Sequence, residues 1–181
     1  MAAGASWAAS ASAATPARID SYVVRETGLG PLNDKTPFET KTLEALLPAG
    51  LTFRPEKVTL EGAAPYTVLR VWRGEELLME LESNGDRKNP HVTGITVFTR
   101  RIADAKDARV GARMKSLYRY GDRPDCIPGA GRYVGRIFCT AAKSDHIIYI
   151  FAGKRPAKAG EMPPPAEYAM WRLTAIMWSA R

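Results

Sequence analysis

The chain has 181 residues, of which 45% are hydrophobic and 25% charged, the proportions of a globular protein that builds a substantial core. Its 26 Lys and Arg against 19 Asp and Glu leave a formal net charge of +7, an excess that favours polyanionic partners without naming one. No apolar run approaches the roughly 20 residues of a membrane-spanning helix, and two cysteines with two histidines match no zinc spacing, so neither a transmembrane segment nor a metal is expected.

The first eighteen residues, MAAGASWAASASAATPAR, are Ala and Ser almost throughout and too poor in large side chains to join a core. Small-x-small steps at Ala9-Ser10-Ala11 and Ala11-Ser12-Ala13 suit signal peptidase, although no basic start or Leu-rich stretch accompanies them. The expectation is a disordered signal-peptide remnant over 1–18, with a cytosolic extension as the alternative, followed by a single globular domain over 19–181. IDSYVV (19–24) is β-branched and alternating, hence a strand. In TGLGPLNDKTPFE (27–39), Thr36, Pro37 and Glu39 form a capping-box pattern that predicts a helix from Thr36 to the stop at Pro48-Ala49-Gly50. Gly28 and Gly30 lie too far ahead to open that helix onto a phosphate, and neither a third glycine at dinucleotide spacing nor Gly-Lys-Ser/Thr follows. They read as turn residues.

PEKVTLEG (55–62) predicts a short strand, and Arg73-Gly74 a turn. Leu77, Met79 and Leu81 alternate against Leu78, Glu80 and Glu82, a half-buried strand with the two glutamates on a solvated face. Asn84-Gly85 signals a hairpin into VTGITVFTRR (92–101). Over 107–121 the period changes. Val110, Met114, Leu117 and Tyr118 share one helical face, with Arg109, Arg113, Lys115 and Arg119 on the back and Gly121 as the stop. RYVGRIFCTA and HIIYIFAG predict paired strands, KRPAKAGEMPPP an extended loop, and AEYAMWRLTAIMWSAR a C-terminal helix with Trp171 and Trp178 turned into the core. The irregular order of elements predicts an α+β fold: an antiparallel sheet of about six or seven strands with roughly three packed helices.

Little of this carries chemistry. Cys126 and Cys139 allow one intramolecular connectivity, and the export-like leader favours a disulfide over two buried free thiols. Cys139 shares strand parity with Ile137, a core position rather than an accessible thiolate site for His91 or His146 to activate. There is no Gly-x-Ser-x-Gly elbow, no carboxylate pair that sequence assigns to catalysis, and no cofactor motif. The surface singled out for contact is the basic helix back, Arg109, Arg113 and Arg119 with Arg100, Arg101 and Arg123 nearby, as an anion-binding stretch. A solvated helix back is its other reading. No nucleic-acid-binding motif accompanies it, so anionic lipid or lipopolysaccharide is the expected partner.

GLGPLNDKTPF (28–38), CIPG (126–129), IFCTA (137–141), IIYIFAGK (147–154), GEMPPP (160–165) and the Trp171–Trp178 pair occur in that order. Together they resemble the bacterial family known as domain of unknown function 1131, typified by the RpoE-regulated lipoprotein, over about residues 19 to 181. The resemblance implies a periplasm-facing protein of the cell envelope or outer-membrane periphery, with no established activity and no catalytic residues to carry over. A lipoprotein also needs a cysteine at its cleavage point, and none precedes Cys126, which speaks against a lipid anchor on this sequence. The expectation is therefore a non-enzymatic envelope protein, linked to envelope stress, that binds an anionic component or a protein partner. The alternatives are a periplasmic enzyme or an inhibitor of a secreted lytic enzyme.

Overall fold

The computed structural model describes residues 18–59, 64–118, 124–154 and 156–180. A 3-10 turn at Ile19–Ser21 leads into β1 (Val23–Arg25), which doubles back as β2 (Gly28–Leu29). Then come α1 (Thr40–Leu46), β3 (Thr52–Val58), β4 (Tyr66–Arg73), β5 (Glu76–Ser83), β6 (Val92–Val97) and β7 (Ala103–Asp104). The chain continues through α2 (Met114–Leu117), β8 (Cys126–Pro128), a second 3-10 turn (Gly131–Tyr133), β9 (Arg136–Thr140), β10 (Ile147–Ala152), α3 (Pro165–Tyr168) and β11 (Arg172–Ser179).

Two sheets result. The large one has eight strands in the order β3-β4-β5-β6-β11-β10-β9-β8, paired antiparallel throughout, which exceeds the six or seven strands expected. The small one is β2-β1-β7, with β1 and β7 parallel. Met79, Leu81, Val97, Tyr149, Phe151 and Ile176 cover one face of the large sheet, and Ile19, Leu29, Leu32, Leu43 and Ile102 close over it. Cys126 and Cys139 stand directly opposite one another on β8 and β9 and form a disulfide. The Arg73-Gly74 turn is present as a two-residue hairpin, Gly74 and Glu75, between paired Arg73 and Glu76.

Several segments depart from the sequence reading, among them Ile19–Ser21, a 3-10 turn where a strand was expected over 19–24. Residues 36–39 are not helical, and α1 begins at Thr40 with Glu39 as an extended N-cap that makes no side-chain cap bond. The Phe38 amide donates to Pro90 and the Val92 amide to the Thr36 carbonyl, both at 2.9 Å. The Thr36 hydroxyl accepts from the Asn33 amide at 3.0 Å instead of capping a helix. Pairing with 90–92 satisfies backbone groups that one more helical turn would have left to solvent. The basic amphipathic helix shrinks to α2. Gly111 has φ +96, its amide donates to Leu173, and the Leu173 and Met114 amides donate to Ala112 and Trp171, so residues 111–114 run alongside 171–173.

The largest departure is the C-terminus. AMWRLTAIMW holds β11, inserted between β6 and β10 near the middle of the large sheet, and only Pro165–Tyr168 is helical. A central strand covered on both faces loses its polar alternation and reads as a continuous apolar run. Trp171 and Trp178 are in the core as expected, although a strand places Trp178 there. The Asn84-Gly85 signal opens a longer connection. The Asn84 side chain accepts from the Asp86 and His91 amides, and β6 starts only at Val92.

Candidate functional site

Residues directly opposite on neighbouring strands present their side chains to the same face. One such row runs Arg54, Arg70, Glu80, Thr96, Met177, Ile148 and Thr140 across seven of the eight strands, on the face turned away from the main core. Glu80, expected on a solvated face, is buried at 1% exposure. Its carboxylate accepts from Arg70 Nε at 3.2 Å and from both terminal nitrogens of Arg132. Arg132 comes from the 3-10 turn between β8 and β9, with β6, β11 and β10 standing between β9 and β5. Four strand spacings amount to roughly 19 Å, so the twisted sheet must curl around this face for the turn to reach across it.

Glu82 lies beside Glu80, 3.4 Å from Arg132, and accepts from the Tyr66 hydroxyl at 3.3 Å. Glu56 pairs with the far side of Arg70. Burial, with Glu80 adding to it, pushes the Glu82 carboxyl above its ordinary pKa. Burial and then Glu82 push the Tyr66 phenol up to about 12. Desolvation alone would lower the Arg132 pKa, but its bonds to Glu80 more than reverse this. Arg132 and Arg136 stack on the Tyr133 ring at 4.9 and 5.5 Å, and Arg54 on the Trp72 ring at 5.3 Å. The hint for this cluster in the sequence is Arg70, a charge inside the apolar run VLRVW, which turns out to face Glu80 across the ladder.

The raised Glu82 pKa has a signed consequence. The folded state keeps this proton to higher pH than the unfolded chain, so stability is lost as pH rises through the window between the two pKa values. Glu82→Gln is therefore expected to match wild type in acid and to exceed it above that window. Urea unfolding of both proteins from about pH 3 to about pH 8 reads the difference. A constant gap across that range would refute the assignment.

The arginines expected to form one anion surface are separated. Arg109 lines a shallow depression of about 600 Å³ with Arg100, Arg101, Asp20 and Glu76. There it pairs with Asp107 and donates to the carbonyls of Arg100 and Arg101, while Arg101 pairs with Glu76 and Asp20. Arg113 lines a different and larger open groove of about 990 Å³, with Lys154, Glu167, Met170, Trp171 and Arg172. Arg119 and Arg123 lie outside the described residues. Lys154 and Arg172 were missed because the groove forms only when the end of β10 and the start of β11 meet residues 111–114.

Asp104 and Tyr149 form a further buried pair. The Tyr149 hydroxyl donates to Asp104, whose other oxygen accepts from the Lys106 and Ala108 amides, so this carboxylate shapes the turn after β7. Among the described residues, no group of three or more His, Cys, Asp or Glu is placed to hold a metal ion, and no helix is long and apolar enough to cross a membrane.

A family model described as a protein of unknown function, DUF1131, matches residues 5–180. Among solved structures, the uncharacterized protein YfeY from Escherichia coli is similar, with a TM-score of 0.72 and 24% identity over 87% of this chain and 99% of that one. That likeness is one of fold. No curated protein matches the chain.

Proposed function

The chain belongs to the DUF1131 family of proteins of unknown function, and from that premise we propose that it is a non-enzymatic protein of the bacterial cell envelope that binds an anionic envelope component. The component is the phosphate-bearing headgroup of an anionic lipid or of lipopolysaccharide, and the reading includes the link to envelope stress. The observation that carries it is the groove around Arg113. Three cations, Arg113, Lys154 and Arg172, line it against a single carboxylate, Glu167. Arg113 and Lys154 are exposed and form no salt bridge among the described residues, so their charge is available to a ligand. Met170, 49% exposed, lies beside them. Cations flanking an exposed apolar side chain suit the boundary between headgroup and acyl chain. The export-like leader and the disulfide support the compartment.

Binding to vesicles with and without anionic headgroups, followed across a salt series, tests this. A cation at such a surface contributes about 1 kcal/mol, so Arg113→Ala with Lys154→Ala is expected to weaken binding about 30-fold at low salt. Arg109→Ala is expected to change it little, because Arg109 is already engaged by Asp107 and two carbonyls. Equal binding by the double variant, or binding that neither salt nor headgroup charge affects, would overturn the proposal.

A further inference from the structure

In the groove around Arg113, two arginines stand directly opposite one another. Arg113 bridges to Arg172, the first residue of β11. The Met114 amide donates to the Trp171 carbonyl and the Leu173 amide to that of Ala112, so Arg113 and Arg172 are a non-hydrogen-bonded pair. In such pairs the Cα atoms lie about 4.5 Å apart and the side chains are at their closest. The register continues from Arg172 to Ala152 on β10, and Lys154, two residues further on, lines the same groove. Like charges directly opposite one another destabilise a sheet. Glu167 is the one carboxylate that lines the groove, and it makes no ion pair with Arg113, Arg172 or Lys154. All four charged side chains are exposed, so a ligand reaches them without displacing protein. Arg172 Nη1 donates to the Gly111 carbonyl at 2.8 Å, which fixes one edge of its guanidinium.

Charge decides which anion fits. Three cations against one carboxylate leave two positive charges on the groove. A phosphodiester carries a single negative charge and leaves one of them unmatched. A terminal phosphomonoester carries close to two at neutral pH, with three strong acceptor oxygens. Those oxygens suffice for two guanidiniums and an ammonium, and the planar fork of an arginine matches them two at a time. The small Ala152 and Gly153 line the groove between Arg172 and Lys154 and leave room there. The next arginine of the row, Arg136 opposite Ala152, is stacked on Tyr133 and belongs to the neighbouring cluster. The exposed Met170 on the same groove favours a phosphate borne by a lipid over one free in solution.

We propose, resting on the anion-binding reading above, that this groove selects a lipid-borne phosphomonoester. The dianion is held between Arg113 and Arg172, with Lys154 on its remaining oxygen.

The test compares binding of the full chain to phosphatidylcholine vesicles that carry either phosphatidic acid, a monoester, or phosphatidylglycerol, a diester. Mole fractions are set so that the two vesicles have equal zeta potential, which equalises the general attraction of a basic protein. Phosphatidic acid is expected to bind about 5-fold tighter, the effect of one further matched charge at a membrane surface. Arg113→Gln, which removes one of the opposed pair, is expected to abolish that preference. Lys115→Gln removes an exposed cation two residues away that does not line the groove, and is expected to keep it. Methyl phosphate is expected to displace the protein from phosphatidic acid at concentrations where dimethyl phosphate, at the same ionic strength, does not. Failure to bind either vesicle would overturn the anion-binding reading itself. Equal binding of the two lipids, a preference that survives Arg113→Gln or is lost in Lys115→Gln, or equal competition by the two phosphates would overturn the selectivity alone. Methyl phosphate binding as tightly as the lipid would also overturn it, by making the ligand a soluble one.

Discussion

Glu80→Ala is expected to lower the unfolding free energy by about 3 kcal/mol, the low end of the cost of breaking a buried ion pair from one side. The loss falls on the partners. Glu80 is 1% exposed, and without it Arg132 and Arg70 lose the carboxylate between them, while Glu82 at 3.4 Å and Glu56 on the far side of Arg70 replace it only in part. The low end applies because the Arg70 and Arg132 side chains keep 26% and 21% of their exposure, which lets water screen part of the charge. Glu80→Gln keeps the shape and some acceptor capacity and should lose less. Urea unfolding gives the difference, and hydrogen exchange should show the β8–β9 turn opening first, since Arg132 ties it to β5. A loss below about 1 kcal/mol would mean that the cluster is screened like a surface pair.

Gly28→Ala is expected to cost about 4 kcal/mol, from two sources that add. Gly28 has φ +129, a conformation side chains rarely adopt, and a Cβ there would stand 1.9 Å from the Leu32 carbonyl oxygen. Backbone strain of this kind is worth about 1–3 kcal/mol, and forced overpacking about as much again. The backbone has little room to yield. Leu29 and Leu32 exchange hydrogen bonds at 2.9 Å across the turn, and both are fully buried. Gly85→Ala is the control. Gly85 also has a positive φ, of +72, but nothing lies within 4 Å of its Cβ position, so only the strain of about 1–2 kcal/mol remains. Equal thermal shifts for the two variants would remove the close contact from the account. A glycine required by Leu32 is an architectural residue, which is how the sequence reads it against a phosphate loop.

Much of the sheet was legible because one-sided burial leaves a local mark. β5 with its Arg73-Gly74 turn, β6, and the β9–β10 pair all show in alternation and turn residues. The disulfide was legible because two cysteines allow a single pairing. The Thr36 capping box, the helix over 107–121 and the C-terminal helix were each locally sound, and each gave way to backbone pairing with a distant segment: 36–38 with 90–92, 111–114 with 171–173, and β11 with β6 and β10. The candidate sites divide along the same line. Composition and charge by themselves determined a basic protein, and motif order pointed to its family. Only the tertiary structure decided that Arg113 is joined by Lys154 and Arg172, and that Glu80 is buried under an arginine 52 residues further along the chain. A side chain's partners across a sheet are set by strand order and register, and these are cooperative properties of the whole ladder that no local window of residues contains.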